Sequence, residues 1–266
     1  MKQNILSQIT TECPWRDTLY WYDRVDSTNN VAKQMAKAGA PAGTVIIAGT
    51  QTAGRGRMGR SFSSPDKLGV YLSVILRPGC SPDKLMHLTC AAGVAGCRAV
   101  EKAAGICPDV KWANDLVWQK KKLGGILTEL GLNPTTGAVD YAIVGIGINC
   151  MQKCDDFPKE LQSMATSLLQ VTEQACPTDK VAAALVEALW EMDRQLLCNK
   201  AELMDAYRRL CITVGQDVLV VQGENQLYAK ALAVDDDGAL LVVYTDGTKA
   251  TVNFGEVSVR GMYGYL

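Results

Sequence analysis

A chain of 266 residues is long enough to bury a real core, either alone or with a small companion domain. Its 48% hydrophobic and 21% charged residues are ordinary globular usage, which excludes disordered and fibrous classes. The formal net charge of −1 excludes the broad basic face that supplies most nucleic-acid affinity, so no DNA partner is expected.

No apolar run reaches the roughly 18 residues that a membrane-crossing helix needs, so no membrane span is predicted. The ten cysteines follow a polar N-terminal segment, MKQNILSQITTECPW, with no basic-then-apolar leader, which predicts reduced thiols and a cytoplasmic location. Cys150 and Cys154 are the nearest cysteine pair and have no histidine beside them, so no zinc set is expected. Cys90 and Cys97, in an alanine-rich stretch, read as small buried thiols. The single histidine, His87, lies between Met86 and Leu88 and reads as a helix residue near the core. Any Ser-His-Asp or Cys-His mechanism would rest on that one residue, so we look for chemistry without histidine.

In chain order, Asp26, Ser27 and Thr28 precede VAKQMAKAG, where Val31, Met35 and Ala38 recur at helical spacing and Gly39 supplies a stop. TVIIAGT then reads as a buried strand ending near Thr50, and a glycine-rich loop follows it. GVYLSVIL alternates and predicts a second strand, and residues 82–104 predict one long helix. VKW, DLVW, LGGILTELGL and VDYAIVGIGIN predict adjacent antiparallel strands, with the lysine cluster between the second and third as a hairpin turn. Helical patterns return at 179–197 and 200–210. Beyond Cys211 come the short strands DVLVVQ, LYAKALAVD, ALLVVYTDG and TKATVNFGEVSVRG, a β unit too small to stand alone and expected to pack on the rest. The expected division is 1–210 and 211–266.

Three segments could carry chemistry. QTAGRGRMGR has Gly54, Gly56 and Gly59 in a G-x-G-x-x-G spacing, but SFSSPDKLG follows instead of a helix, and no Gly-Lys-Ser/Thr closes the loop. What is left is a flexible loop whose glycines admit a ligand to the backbone, while Arg55, Arg57 and Arg60 meet phosphate or carboxylate. From spacing alone, an exposed basic loop is an equal reading. In KWANDLVWQKKKLGGI, Asn114 and Asp115 at a strand start suit either a hydrated magnesium shared with phosphates or a turn. Lys120 and Lys121 read as a solvated tip, whereas Lys122 adjoins paired glycines over which a ligand can lie. The glycines of GIGIN, residues 145–149, mark close approach of either another part of the chain or a ligand.

DSTN (Asp26 to Asn29), QTAGRGRMGR, KWAND, KKLGGI and GIGIN follow one another over residues 26–149, ahead of a small β unit. In these motifs and their order the chain resembles the biotin protein ligases. The resemblance implies an α+β fold, with a mixed, largely antiparallel sheet flanked by helices as in class II aminoacyl-tRNA synthetases and lipoyl ligases, followed by an SH3-like β-barrel. It implies ATP-dependent synthesis of biotinyl-5′-adenylate, then transfer of biotin to a lysine of a biotin carboxyl carrier protein or domain, with magnesium as cofactor. By the same resemblance Ser27, Thr28, Asn29 and Gln51 contact biotin, as do Gly54, Arg55, Gly56 and Arg57 of the loop and Gly125. Lys122 falls to the biotin carboxylate and the α-phosphate. Arg57 and Arg60 close over the adenylate, and Asn114, Asp115 and Asn149 lie near the nucleotide, with Asp115 the magnesium candidate. The resemblance also admits a homodimer formed through a sheet edge.

The sequence departs from the family pattern at Ala113, where a proline is usual, and at Phe62 and Ser63, where an aromatic pair is usual. Some relatives carry an N-terminal repressor domain; with DSTN starting at residue 26, the ligase-only form is expected. The nearest alternative is a lipoate protein ligase, against which GRGRMGR argues. A non-enzymatic binding protein that uses its β unit is the alternative from another class.

Overall fold

The computed structural model describes residues 1–253 and 258–261. Helix α1 (Lys2–Leu6) and a 3-10 turn at Pro14–Arg16 lead into strand β1 (Leu19–Val25). This strand was not legible in the sequence: it is the sheet's edge, only Leu19 in it is buried, and the polar LYWYDRV carries no apolar alternation. Helix α2 (Thr28–Lys37) starts after extended Ser27 and stops before Gly39, whose φ of +88° is costly for residues with a Cβ. Its buried face differs from the expected one. Ala32 and Ala36 are fully covered, Val31 and Met35 flank them half-buried, and Ala38 is exposed.

Strands β2 (Thr44–Gln51) and β3 (Gly69–Leu76) form where apolar runs predict them. Every residue of β3 is buried, because helices cover one of its faces and α2 with a cavity covers the other. The single helix expected over 82–104 is in fact a 3-10 turn at Pro82–Leu85 followed by helix α3 (Leu88–Ala104). His87 at its start is buried and donates from Nε2 to Leu196 O at 2.9 Å, the core role anticipated for it.

Strands β4 (Asp109–Lys111), β5 (Asp115–Trp118), β6 (Lys121–Leu132) and β7 (Val139–Asn149) follow. The β5–β6 hairpin turns on Gln119 and Lys120, whose φ values of +46° and +68° give the two-residue turn that matches strand twist. Lys121 is therefore not at the tip but opens β6, with Lys122 beside it. Helices α4 (Leu168–Thr172), α5 (Thr178–Gln195) and α6 (Lys200–Leu210) complete the larger part.

The seven strands run in the order β1-β2-β3-β7-β6-β5-β4, parallel between β1 and β2 and antiparallel elsewhere. Val45, Val74, Val144 and Ile146 face α3 and α5, while Ile46, Ile75 and Ile143 face α2. After Cys211, β8 (Asp217–Gln222), β9 (Asn225–Val234), β10 (Leu240–Tyr244), β11 (Lys249–Val252) and β12 (Ser258–Gly261) form an antiparallel sheet ordered β11-β10-β9-β8-β12. Val218, Ala231 and Leu240 of this sheet join the same apolar cluster as α3, so the small sheet packs on the rest of the chain as expected. Part of TKATVNFGEVSVRG, residues 254–257, lies outside the described residues. No helix among the described residues is long and apolar enough to cross a membrane.

Candidate active site

Strand register hollows one face of the large sheet. Gly147 of β7 pairs with Tyr71 of β3 and with Gly125 of β6, and Gly145 pairs with Ser73 and Leu127. Missing side chains along these two rows leave a cavity of about 550 Å³ on the α2 face. The Phe62 ring settles over the glycines: a Cβ on Gly147 would come within 2.5 Å of it and one on Gly125 within 3.5 Å. Phe62 also stands edge-on to Tyr71 at 6.4 Å. A Cβ on Gly145 would collide with the Asn29 carboxamide. The GIGIN glycines thus make room for other parts of the chain, and those parts form the cavity wall.

One end of the cavity is polar but carries no net charge. Ser27, Thr28 and Asn29 open α2 and are buried there, although the N-cap residue Ser27 makes no side-chain bond to the helix end. Gln51, at the end of β2, accepts at Oε1 from the Thr28 amide at 2.8 Å and donates to Ser64 Oγ at 2.9 Å. Ser73, buried in β3, lies 2.8 Å from Thr28 Oγ1 and 2.7 Å from Asn29 Oδ1.

The opposite end is cationic. Residues 54–62 are not an irregular loop but a tight hairpin: Phe62 N donates to Gly54 O at 2.9 Å, Arg55 and Ser61 are bridged, and Gly56 N donates to Arg60 O at 2.7 Å. Met58 and Gly59 turn its tip at φ +54° and +73°. From this tip Arg57 reaches across to donate to Asn114 Oδ1 at 3.0 Å, and burial lowers its pKa. Lys122 Nζ pairs with Asp115 Oδ1 at 2.7 Å, while its backbone is clamped between Met164 O at 2.7 Å and Thr166 N at 2.9 Å. Asn149 is buried, donating to Thr166 O at 3.0 Å and accepting from Gln152 Nε2 at 3.3 Å. Among the described lining residues Arg55 is paired with Glu129 behind Asn29, while Arg57, Arg60, Lys111 and Lys122 stand against a single lining carboxylate, Asp115, so this end of the cavity favours an anionic ligand.

Family models match this architecture in two pieces: the biotin/lipoate A/B protein ligase family over residues 21–149, and the biotin protein ligase C terminal domain over 213–260. The bifunctional ligase/repressor BirA of Bacillus spizizenii is 36% identical over 232 residues, covering 87% of this chain and 71% of that protein. The biotin--[acetyl-CoA-carboxylase] ligase of Mycobacterium tuberculosis is 32% identical over 237 residues, covering 87% of this chain and 85% of that protein. The chain belongs to the biotin protein ligase family. The biotin protein ligase of Aquifex aeolicus in complex with biotin and ATP superposes on this enzyme with a TM-score of 0.76 and 28% identity, covering 92% of this chain and 99% of that chain.

In this biotin protein ligase every site residue named from the sequence lines the cavity except Gly54. Gly54 is buried behind the wall, where a Cβ would collide with Phe62 O, so its part is to let the hairpin close. Sequence reasoning missed Ser73, Lys111 and Glu129. Lys111 is buried and lines the cavity, and its place in KWAND was the available signal. Glu129 lies behind Asn29, accepting from Asn29 Nδ2 at 3.0 Å and Arg55 Nη1 at 3.0 Å. Strand periodicity alone put it on the cavity face.

Proposed function

We propose that the chain joins biotin to ATP and then to a carrier. A biotin carboxylate oxygen attacks the α-phosphorus of ATP, the bond to the bridging oxygen breaks, and pyrophosphate leaves. The neutral amine of a lysine on a biotin carboxyl carrier domain then attacks the carbonyl of the mixed anhydride, and AMP departs. The observation that carries this reading is the juxtaposition of a neutral polar floor with a cluster of four cations, Arg57, Arg60, Lys111 and Lys122, in one cavity. The floor suits a neutral cyclic urea, and the cations suit a carboxylate meeting a triphosphate.

Neither step needs a protein nucleophile, in keeping with a buried Cys150 whose pKa burial raises and a His87 remote from the cavity. Catalysis falls to position and charge: Lys122 and Arg57 stabilise the crowded negative charge on the α-phosphate, Arg60 and Asn149 hold the nucleotide, and Asn114 orients Arg57. The described residues hold no cluster of three metal ligands, so a magnesium ion would take Asp115 together with phosphate oxygens and water. That ion would neutralise phosphate charge. We assign residues 1–210 to the catalytic unit and 211–266 to the C-terminal β unit, in a cytoplasmic enzyme. Near-neutral net charge argues against operator binding by these 266 residues.

The test is biotin-dependent exchange of pyrophosphate into ATP, followed by transfer to a carrier domain. We expect both activities; exchange that proceeds equally well without biotin, or only with lipoate, would overturn the reading.

A further inference from the structure

Two successive reactions at one site meet the same fixed charges. Among the described residues, Arg57 and Arg60 reach the cationic end from the hairpin, Lys111 from β4 and Lys122 from β6, against one lining carboxylate, Asp115 of β5. The other groups around this end add little to the sum. Arg55 is paired with Glu129 at 3.0 Å, and the small sheet supplies the apolar Leu219. Tyr71 of β3 donates its hydroxyl to Pro65 O at 2.9 Å and stays neutral, because burial raises its pKa. Lys122 is matched by Asp115 at 2.7 Å. Strand register sets Lys111 directly opposite Asp115 across β4 and β5, so the two share a face of the sheet. Lys111 is only 8% exposed, and water screens its charge poorly there.

With both substrates bound, the triphosphate and the biotin carboxylate bring more negative charge than these side chains bring positive. Adenylation reverses the balance. Pyrophosphate carries most of the negative charge away, and biotinyl-adenylate keeps only the charge of its phosphodiester, so four cationic side chains then face two anions, that phosphodiester and Asp115. The carbonyl carbon to be attacked is one bridging oxygen from the phosphorus. An amine at attack distance from it, about 3–3.5 Å, therefore stands within the same cluster. Like charges disfavour the charged form of any group brought among them.

We propose that the cations left uncompensated when pyrophosphate departs admit the carrier lysine only as its neutral amine, with the buried charge of Lys111 a main contributor. This rests on reading the site as one that transfers biotin from its adenylate. The entering ammonium gives one proton to water, and the amine lone pair then forms the bond to the carbonyl carbon. The bond from that carbon to the phosphate oxygen breaks with its electron pair on AMP, and the new amide nitrogen sheds a second proton to water. A free lysine is almost wholly protonated at neutral pH, so the reactive fraction rises about tenfold for each unit by which its pKa is lowered. Charges placed for the first reaction thereby prepare the nucleophile of the second.

Single-turnover transfer from supplied biotinyl-adenylate to a carrier domain, followed from about pH 6 to about pH 10, tests the proposal without depending on the first reaction. The pH midpoint of the enzymatic rate should lie roughly 1–2 units below that of the uncatalysed reaction between the same adenylate and carrier. Lys111→Met removes the charge and keeps the length of the side chain. Its midpoint should rise by about 1 unit, so that transfer falls on the order of tenfold near neutral pH and matches the unsubstituted enzyme at the alkaline end. Equal midpoints with and without enzyme would overturn the proposal. So would a Lys111→Met midpoint that stays where it was, or a defect of the same size at every pH, since a purely structural loss does not vanish when the amine is neutral anyway. If the unsubstituted enzyme transfers no biotin from supplied adenylate at any pH, it is the ligase reading that fails. Should Lys111→Met not fold, Arg60→Gln removes another cation of the cluster and should move the midpoint the same way, by less because Arg60 is exposed to screening.

Discussion

On the α2 side of the cavity, polar groups are held by other polar groups deep in the protein: Ser27, Thr28, Asn29 and Ser73 are all buried, and Gln51 is bonded on both ends of its amide. The hairpin at the mouth is built differently. Arg55 is 40% exposed, Met58 is exposed, and the tip bends through left-handed Met58 and Gly59. The first region is preformed, so binding there costs little ordering. The second can rearrange, so its contacts to a ligand must offset roughly 1–2 kcal/mol of backbone entropy per residue fixed. Recognition of a neutral ring and stabilisation of a reacting phosphate call for these two behaviours, and one molecule provides both within a single cavity.

Substitutions at the cationic end should damage chemistry far more than stability. Lys122→Ala is expected to show the largest effect, a loss of adenylate formation of about 100-fold to 1000-fold, the range seen when one donor to developing charge is removed. Its ion pair with Asp115 is partly exposed, at 30% and 18%, so stability should fall by no more than about 1 kcal/mol. Pyrophosphate exchange and thermal melting measured on the same sample check this; near-normal exchange would remove Lys122 from the reaction.

Arg57→Gly should have an intermediate effect that falls on retention of the adenylate. The substitution deletes the reach to Asn114 and loosens a hairpin that already contains three glycines, so the reactive anhydride is expected to escape. Incubation with biotin, ATP and a protein that is not a carrier should label bystander lysines, with adenylation reduced less than in Lys122→Ala. An unlabelled bystander, together with adenylate held as tightly as before, would show that the hairpin tip has no retaining role.

The smallest effect concerns pH and the floor. Because the Glu129 pKa is lowered on folding, its charge contributes stability that is present above the unfolded value of 4.5 and lost as pH falls through the folded one. Below about pH 4.5 the unsubstituted enzyme should lose Tm more steeply than Glu129→Gln, by roughly 2–4 °C for a difference of about 1 kcal/mol. Parallel Tm curves for the two would mean that Glu129 titrates alike in both states.

By itself the sequence disclosed β2, β3 and β7, because TVIIAGT, GVYLSVIL and VDYAIVGIGIN are apolar runs long enough to demand burial, and its motifs pointed to the arginines, Lys122 and Asp115 through the family they resemble. It did not disclose β1, whose edge position needs no apolar pattern, nor the hairpin within QTAGRGRMGR, whose cross-strand bonds depend on backbone and not on side-chain type. Tertiary structure alone decided what the glycines are for. Gly145 and Gly147 serve Asn29 and Phe62, residues 116 and 85 positions away, and no local spacing encodes a steric vacancy filled from so far along the chain. The same holds for Glu129: a solvated acid and a half-buried, bonded one are the same letter, and only the packing of α2 and of the 54–62 hairpin on the sheet brought Asn29, Lys33 and Arg55 to it.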